Sequence, residues 1–247
     1  MNNMFENLDN ELSGVEEQQD RLGGGGYLVD SGIYEAKVKL AYITEASGSK
    51  AKAMNIVLEV GGKEIREQVW MTTKEGKPTY EKEGKRFMLP GFEMVNDLCY
   101  VTTGLPFSEQ TIANKVIKVY DYQAKAEVEK SLPVVTSILT KPLLAAILKV
   151  RENKREKDAA GDYIDTSATR DFNECDKFFH KDTKKTVVEL KRGGDIKAED
   201  MFHTLWSAKN TGELRDRSKK VAGQAPAGNA AAGGAKAGGA TKSLFSN

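Results

Sequence analysis

Apolar and polar residues alternate along much of the first half of the chain, with the period of two that is typical of half-buried β-strands. Over residues 34–43 one face carries Tyr, Ala, Val, Leu and Tyr, whereas the opposite face begins with Glu and two Lys. Residues 53–60 and 65–71 alternate in the same way, and Gly61 and Gly62 between them are typical of a tight hairpin turn. Because a Ser/Gly/Lys turn at residues 47–50 separates the first two segments, the pattern predicts a meander of three strands.

Helical spacing replaces this alternation after the third strand. Residues 91–102 place four apolar side chains on one stripe, and Gly104 predicts the end of the helix. Alternation returns over residues 115–122, and apolar runs at residues 134–139 and 143–151 predict a last strand or pair of strands. Three strands, a helix and two strands follow the order of a five-stranded Greek-key barrel, so we expect a mainly β fold with a few helices.

The remaining segments are more polar. Residues 73–86 predict a loop in which five bases surround Tyr80, and the Asp-rich residues 152–182 predict a long loop or hairpin. Residues 186–191 predict a short strand, and residues 198–209 predict a short helix.

Charge and composition divide the chain into three parts. The chain of 247 residues has 37 Lys and Arg against 36 Asp and Glu, but seven acids and one base fall within residues 1–30. Residues 212–247 carry six bases and two acids in a Gly/Ala-rich sequence that cannot bury a core. We therefore predict a flexible acidic arm over residues 1–26, a folded domain with a C-terminal elaboration over residues 27–211, and a flexible basic tail over residues 212–247. The uneven distribution of acidic and basic residues along the chain indicates a polyanionic partner.

Several classes of protein are disfavoured by what the sequence contains. No apolar run approaches the length of a membrane span, and the first residues lack the apolar core of a secretory signal, so we expect no membrane association. Two cysteines, Cys99 and Cys175, fit a reducing cytoplasm. The two histidines and two cysteines lack zinc spacing, and no phosphate-binding loop is present. We expect no metal, no cofactor and no catalytic residue.

One catalytic pattern provides the alternative function. Residues 187–191, Val-Val-Glu-Leu-Lys, resemble the strand-borne Glu-x-Lys of restriction-endonuclease-like nucleases. In that family the carboxylate holds Mg²⁺ and the lysine positions the attacking water, and a strand would place Glu189 and Lys191 on one face. The family also needs an upstream Asp on a neighbouring strand, whereas only predicted loop residues precede this motif. A metal-dependent nuclease is the alternative hypothesis, and a structural or adaptor protein is the third.

A repeated pattern favours binding of nucleic acid. The predicted strands expose bases or aromatic residues opposite their apolar stripes, and a basic loop surrounds Tyr80. Single-stranded nucleic acid is bound by aromatic rings that stack on bases and by cations that contact phosphates. Trp70 and the tyrosines also fit a second core face covered by the helix at residues 198–209. The candidate DNA-binding residues are Lys37, Lys39, Arg66, Trp70, Lys74, Lys77, Tyr80, Lys82, Lys85, Arg86, Lys118, Tyr120 and Tyr122.

The layout resembles that of phage single-stranded DNA-binding proteins. The resemblance covers roughly residues 30–150 and is carried by four features: Gly32-x-Tyr34-x-Ala36-x-Val38, the turn at residues 47–50, Leu-Glu-Val at residues 58–60, and Met-Val-Asn-Asp-Leu at residues 94–98. It implies an OB-fold, that is, an OB-like Greek-key β-barrel with disordered termini. It also implies a protein that coats and protects single-stranded DNA in phage replication, recombination and repair, without sequence preference and without catalysis.

The termini are the expected docking elements. In such proteins a flexible tail recruits replication or recombination partners, and this tail ends in Leu244 and Phe245. Related tails are acidic, whereas this tail is basic and the acidic residues lie in the N-terminal arm, beside Phe5, Leu8 and Leu12. The arm has two possible uses: it competes with DNA for a basic groove, or it presents its apolar stripe to a partner or neighbouring subunit.

Overall fold

The computed structural model describes residues 28–121, 124–158 and 161–221, and their fold is mainly β, as the sequence predicts. Ten strands and three α-helices make up this part of the chain. The strands are β1 (Gly32–Glu45), β2 (Lys52–Val60), β3 (Lys63–Trp70), β4 (Thr79–Lys82), β5 (Lys85–Met88), β6 (Ile112–Asp121), β7 (Ala126–Val135), β8 (Pro142–Lys157), β9 (Tyr163–Phe179) and β10 (Leu214–Asp216). The helices are α1 (Pro90–Thr103), α2 (Val187–Arg192) and α3 (Phe202–Asn210).

Strand β1 is the centre of an eight-stranded sheet. It pairs with β2 along most of its length, with β8 through its first half, and with β7 at Tyr42, which lies opposite Val134. The path β10-β8-β1-β2-β3 is extended by β9, which pairs with β8, and by the β6–β7 hairpin. Strands β4 and β5 form a separate two-stranded sheet. Among the described strands β3 pairs with β2 alone and β6 with β7 alone, so no closed barrel is detected.

The predicted three-strand meander is confirmed in β1, β2 and β3. Gly61 and Gly62 adopt φ values of 56° and 77°, the left-handed conformations that a tight primed turn requires. A bulge shifts the register between Val38 and Leu40. Because side chains alternate between faces, this bulge moves the inward-facing positions of β1 from even to odd numbers, and Ala41 is fully buried.

Two apolar clusters form the core. The larger lies between the inner face of the sheet and α1, which contributes Val95, Leu98 and Cys99 and ends at the left-handed Gly104. The smaller cluster covers the other face of β8 with Phe179 and with Trp206 of α3. Strand β8 is therefore buried on both faces, which explains its continuous apolar run.

Two local predictions need correction. Residues 186–191 do not form a strand: α2 begins after Thr186, whose hydroxyl accepts a hydrogen bond from the Glu189 N–H at 3.2 Å while the Glu189 carboxylate accepts one from the Thr186 N–H at 2.7 Å. This reciprocal capping box stabilises the first helical turn. Residues 73–86 are not only a loop, because β4 and β5 form a hairpin there. The polar segment at residues 152–182 contains most of the β8–β9 hairpin and the turn that follows it.

A half-buried carboxyl group connects strands β3 and β9. Glu67 lies on the inner face of β3 between Ile65 and Val69, and its Oε2 accepts a hydrogen bond from the Cys175 N–H of β9 at 3.0 Å. The β8–β9 register shifts next to Cys175, between the partners of Ala146 and Ile147. Burial, assisted by the neighbouring charge of Glu174, raises the pKa of Glu67 to about 7.

The fold continues beyond residue 211, the end of the predicted domain. Strand β10 pairs in parallel with β8, and the Glu213 carbonyl accepts a hydrogen bond from the Ser31 hydroxyl at 2.5 Å. The buried side chain of Asn153 accepts a hydrogen bond from the Lys219 N–H at 2.6 Å and donates one to the Lys219 carbonyl at 3.0 Å. Residues 212–219 are thus attached to the sheet.

No described helix has the length and apolarity needed to cross a membrane.

Candidate nucleic-acid interface

A groove of about 900 Å³ lies between the outer face of strands β1–β3 and the β6–β7 hairpin. The sheet contributes aromatic, amide and cationic side chains to its lining, and the hairpin contributes a mixed apolar and basic wall. The side chains that define this groove are Tyr42, Asn55, Arg66 and Gln68 on the sheet, and Tyr120 and Lys130 on the hairpin.

Cross-strand pairing arranges the sheet side of the groove in rows. Tyr42 lies opposite Asn55, which in turn lies opposite Gln68, and this row forms the middle of the groove. In the next row Val57 lies opposite Arg66. On the other side of the middle row Ala53 lies opposite Trp70. Because residues 66, 68 and 70 alternate with the buried positions of β3, their side chains share the outer face.

Hydrogen bonds fix the amide groups of the middle row. The Gln68 Nε2 donates to the Asn55 Oδ1 at 2.9 Å, and the Asn55 Nδ2 donates to the Thr44 hydroxyl at 2.9 Å. The row therefore presents a continuous polar surface across three strands. Such a surface offers both donors and acceptors to the base edges or the sugar of a ligand.

Two cations that line the groove, Arg66 and Lys130, belong to ion pairs. Glu64 accepts hydrogen bonds from Lys39 at 2.5 Å and from Arg66 at 2.8 Å, and these contacts lower the pKa of the Glu64 carboxyl. The groups are exposed, so water screens their attraction and leaves Arg66 able to exchange partners. On the hairpin, Lys130 pairs with Asp121 at 2.6 Å.

Trp70 is a surface residue rather than part of a second core face. Its side chain is 48% exposed, and it lies one row beyond Gln68 at the end of β3. The helix at residues 202–210 covers β8 instead, through Trp206.

A Cβ atom at Gly91 would overlap the Trp70 carbonyl oxygen, so the glycine allows α1 to begin directly against this strand end.

The β4–β5 hairpin brings together most of the predicted basic loop. The rings of Tyr80 and Phe87 stack with centroids 5.7 Å apart, and both side chains are exposed. Lys82 and Lys85 are paired beyond them, next to the turn. The Arg86 guanidinium donates to the Thr79 hydroxyl at 3.0 Å, on the opposite face of the hairpin.

The remaining predicted residues lie apart from the groove or outside the described chain. Lys74 and Lys77 lie in the turn that leads from β3 to β4, where the Thr73 N–H donates to the Lys77 carbonyl at 2.8 Å. Lys37 lies opposite Glu59, and Lys118 opposite Glu129. Among the predicted residues that the structure describes, only Arg66 and Tyr120 line the groove itself. Those outside the described residues are Tyr122, Phe5, Leu8, Leu12, Leu244 and Phe245.

The sequence pattern missed several residues of this surface. It assigned Tyr42 to the core face of β1, because the bulge before Leu40 cannot be read from alternation. It identified neither Asn55 nor Gln68, whose importance appears only when the three strands are aligned. Phe87 carries a usable signal: Glu83 and Gly84 form a two-residue turn with positive φ, flanked by segments of equal length.

The groups proposed for nuclease chemistry have structural partners. The Glu189 carboxylate also accepts a hydrogen bond from the Phe202 N–H at 2.7 Å, and Lys191 lies 4.9 Å from the Tyr100 ring centre. Within the described residues, no group of three or more His, Cys, Asp or Glu side chains is arranged to hold a metal ion.

Burial raises the pKa of the Cys99 thiol to about 12, so this thiol is not a reactive thiolate at neutral pH.

Comparison with known proteins provides no further assignment. No family model matches the chain, and no curated protein has a matching sequence. The resemblance to phage single-stranded DNA-binding proteins stays a prediction from the sequence.

Proposed function

We propose that this protein binds single-stranded DNA without sequence preference and coats it during phage-type replication, recombination and repair, without catalysing a reaction. The observation that carries the proposal is the groove, in which Tyr42 and Tyr120, the cations Arg66 and Lys130, and a fixed amide row line one concave surface. Aromatic faces and cations along one path are the two features that binding of an unpaired strand needs.

The exposed rings favour an unpaired strand over a duplex. Trp70 and the Tyr80–Phe87 pair offer flat faces to bases, and a base contributes about 1–3 kcal/mol when it stacks on such a ring. Bases within a duplex are already stacked on each other and cannot reach these faces without being unpaired. Stacking also tolerates every base, which supports binding without sequence preference.

The order of the elements supports an OB-like Greek-key arrangement. Strands β1, β2 and β3 are followed by α1 and then by β6 and β7, and β7 returns to β1 at Tyr42. In this proposal the contact between Glu67 and the Cys175 N–H takes the place of a strand ladder on the side where β3 and β9 approach. The groove then corresponds to the binding face of the arrangement.

The β4–β5 hairpin is a second platform in the same proposal. Its stacked rings lie beside Lys82 and Lys85 on a ribbon that the main sheet does not hold. Leu89 and Pro78 join the base of this ribbon by a backbone hydrogen bond of 2.9 Å, directly before α1 and next to Trp70. A strand that leaves the groove past Trp70 would meet this hairpin.

Equilibrium binding of labelled oligo-dT tests the function. The full chain should bind the single strand at low salt, and the logarithm of the affinity should fall linearly with the logarithm of the salt concentration. A duplex of the same length is the control, and it should bind more weakly at every salt concentration. Equal or tighter binding of the duplex, or no binding of oligo-dT at low salt, would overturn the proposal.

A further inference from the structure

Helices α2 and α3 leave three apolar side chains exposed near the point where they meet. Val188 of α2 is 67% exposed, and Leu205 and Phe202 of α3 are 55% and 44% exposed. The two helices meet where Glu189, next to Val188, accepts the Phe202 N–H at 2.7 Å. The opposite sides of both helices are already used, because Val187 and Trp206 are buried. We call Val188, Phe202 and Leu205 the helix patch.

Basic side chains lie next to the helix patch. Lys191 and Arg192 follow Val188 by three and four residues, and Lys209 follows Leu205 by four, so each cation lies one helical turn from an exposed apolar residue. All three cations are exposed. The exposed acids Glu199 and Asp200 precede Phe202, but the three cations outnumber them. A segment that fits the patch therefore combines apolar residues at helical spacing with acidic residues between them.

Of the two termini of the chain, the N-terminal segment carries the charge that complements the cations beside the helix patch. Phe5, Leu8 and Leu12 have helical spacing, and residues 1–22 contain six acids and one base. The C-terminal residues 222–247 carry two bases and no acid, so their tip at Leu244 would meet charges of its own sign.

The attachment point of the N-terminal segment lies near α3. The Asn173 side chain holds Val29 by two hydrogen bonds of 2.9 and 2.8 Å, and the Ser31 carbonyl accepts the Gly212 N–H at 2.8 Å, just beyond the end of α3. The nine residues of α3 span about 13 Å. The 15 residues 13–27, with four consecutive glycines, have a typical end-to-end distance of about 20 Å if flexible.

We propose that residues 4–15 dock on the helix patch of their own chain, with Phe5, Leu8 and Leu12 against Val188, Phe202 and Leu205 and the acidic residues toward Lys191, Arg192 and Lys209. The tether length matches the span, so the local concentration of the segment is about millimolar and a weak contact is sufficient. The docking is independent of the proposed DNA binding and uses a surface other than the groove.

Disulfide trapping in the full chain tests this docking without DNA. Leu8→Cys is combined with Leu205→Cys, and the disulfide is formed with oxidised glutathione; the natural Cys99 and Cys175 are buried and do not compete. The control pairs Leu8→Cys with Val116→Cys, which is 68% exposed on β6. We expect the Leu205 pair to form an intramolecular disulfide at least tenfold faster than the control, and Lys209→Glu to slow it at low salt.

Three results would overturn the proposal. Equal rates for the Leu205 and Val116 pairs would show that the contact is not specific. A disulfide between two chains alone would show that the patch is occupied in trans. Faster trapping of Leu244→Cys than of Leu8→Cys by Leu205→Cys would assign the patch to the C-terminal tip.

Discussion

Replacement of Glu67 by glutamine should make the stability of this protein less dependent on pH. The carboxyl group is half-buried where β3 approaches β9, and its partial removal from water raises its pKa from the usual 4.5 to about 7. A carboxyl whose pKa is raised on folding favours the folded state in its protonated form. Its contribution to stability is therefore complete below about pH 4.5 and is lost as the pH rises through about 7. This change in the pKa corresponds to about 3 kcal/mol of unfolding free energy.

Urea unfolding, followed by tryptophan fluorescence between pH 5 and pH 8, measures this effect. The wild type should lose most of this amount, about 2–3 kcal/mol of unfolding free energy, between pH 5 and pH 8 through Glu67, and Glu67→Gln should not lose this part. Because glutamine keeps an acceptor for the Cys175 N–H, this variant should be the more stable protein at pH 8. Glu67→Ala leaves that N–H without its acceptor and should be less stable than Glu67→Gln at every pH. The same pH dependence in wild type and Glu67→Gln would refute the reasoning.

Three further predictions follow from single contacts. Trp70→Ala should weaken oligo-dT binding by about 1–3 kcal/mol, measured by anisotropy, and should leave the urea midpoint nearly unchanged because the ring is exposed. Gly91→Ala should lower the unfolding free energy by about 1–3 kcal/mol, since its Cβ would overlap the Trp70 carbonyl oxygen; an unchanged urea midpoint would contradict this. Asn153→Ala should release the segment at Lys219, and limited trypsin digestion should then cut residues 215–219 faster than in the wild type, whereas equal rates would show that β10 and the Arg217–Glu174 ion pair are sufficient to hold the segment.

Much of the sheet could be predicted because its signals are local. The alternation of β1 to β3 and the glycine turn at Gly61 and Gly62 depend on neighbouring residues alone, and so does the end of α1 at Gly104. The short helix α2 also had a local signal, the capping pair Thr186 and Glu189, but six residues are too few for alternation and helical spacing to be distinguished reliably.

The groove could not be predicted to the same extent because it depends on register. A one-residue bulge at Lys39 turns Tyr42 from the core to the surface, and alternation contains no sign of it. The amide row exists only when Asn55 and Gln68 are aligned across β2 and β3. The role of Glu67 could not be predicted either, since its partner Cys175 lies 108 residues away along the chain.

A comparison of two double variants tests the central claim, that a single strand lies in the groove, most directly. Arg66→Ala with Tyr120→Ala removes a cation and a ring from the groove, and Arg155→Ala with Tyr163→Ala removes the same residue types from the exposed end of the β8–β9 hairpin. Both arginines belong to exposed ion pairs, with Glu64 and Asp165, so the two changes are matched. The groove variant should bind oligo-dT at least tenfold more weakly than the wild type at low salt, and the hairpin variant should bind within about twofold of it. Equal losses, or wild-type affinity in the groove variant, would contradict the assignment of the strand to the groove.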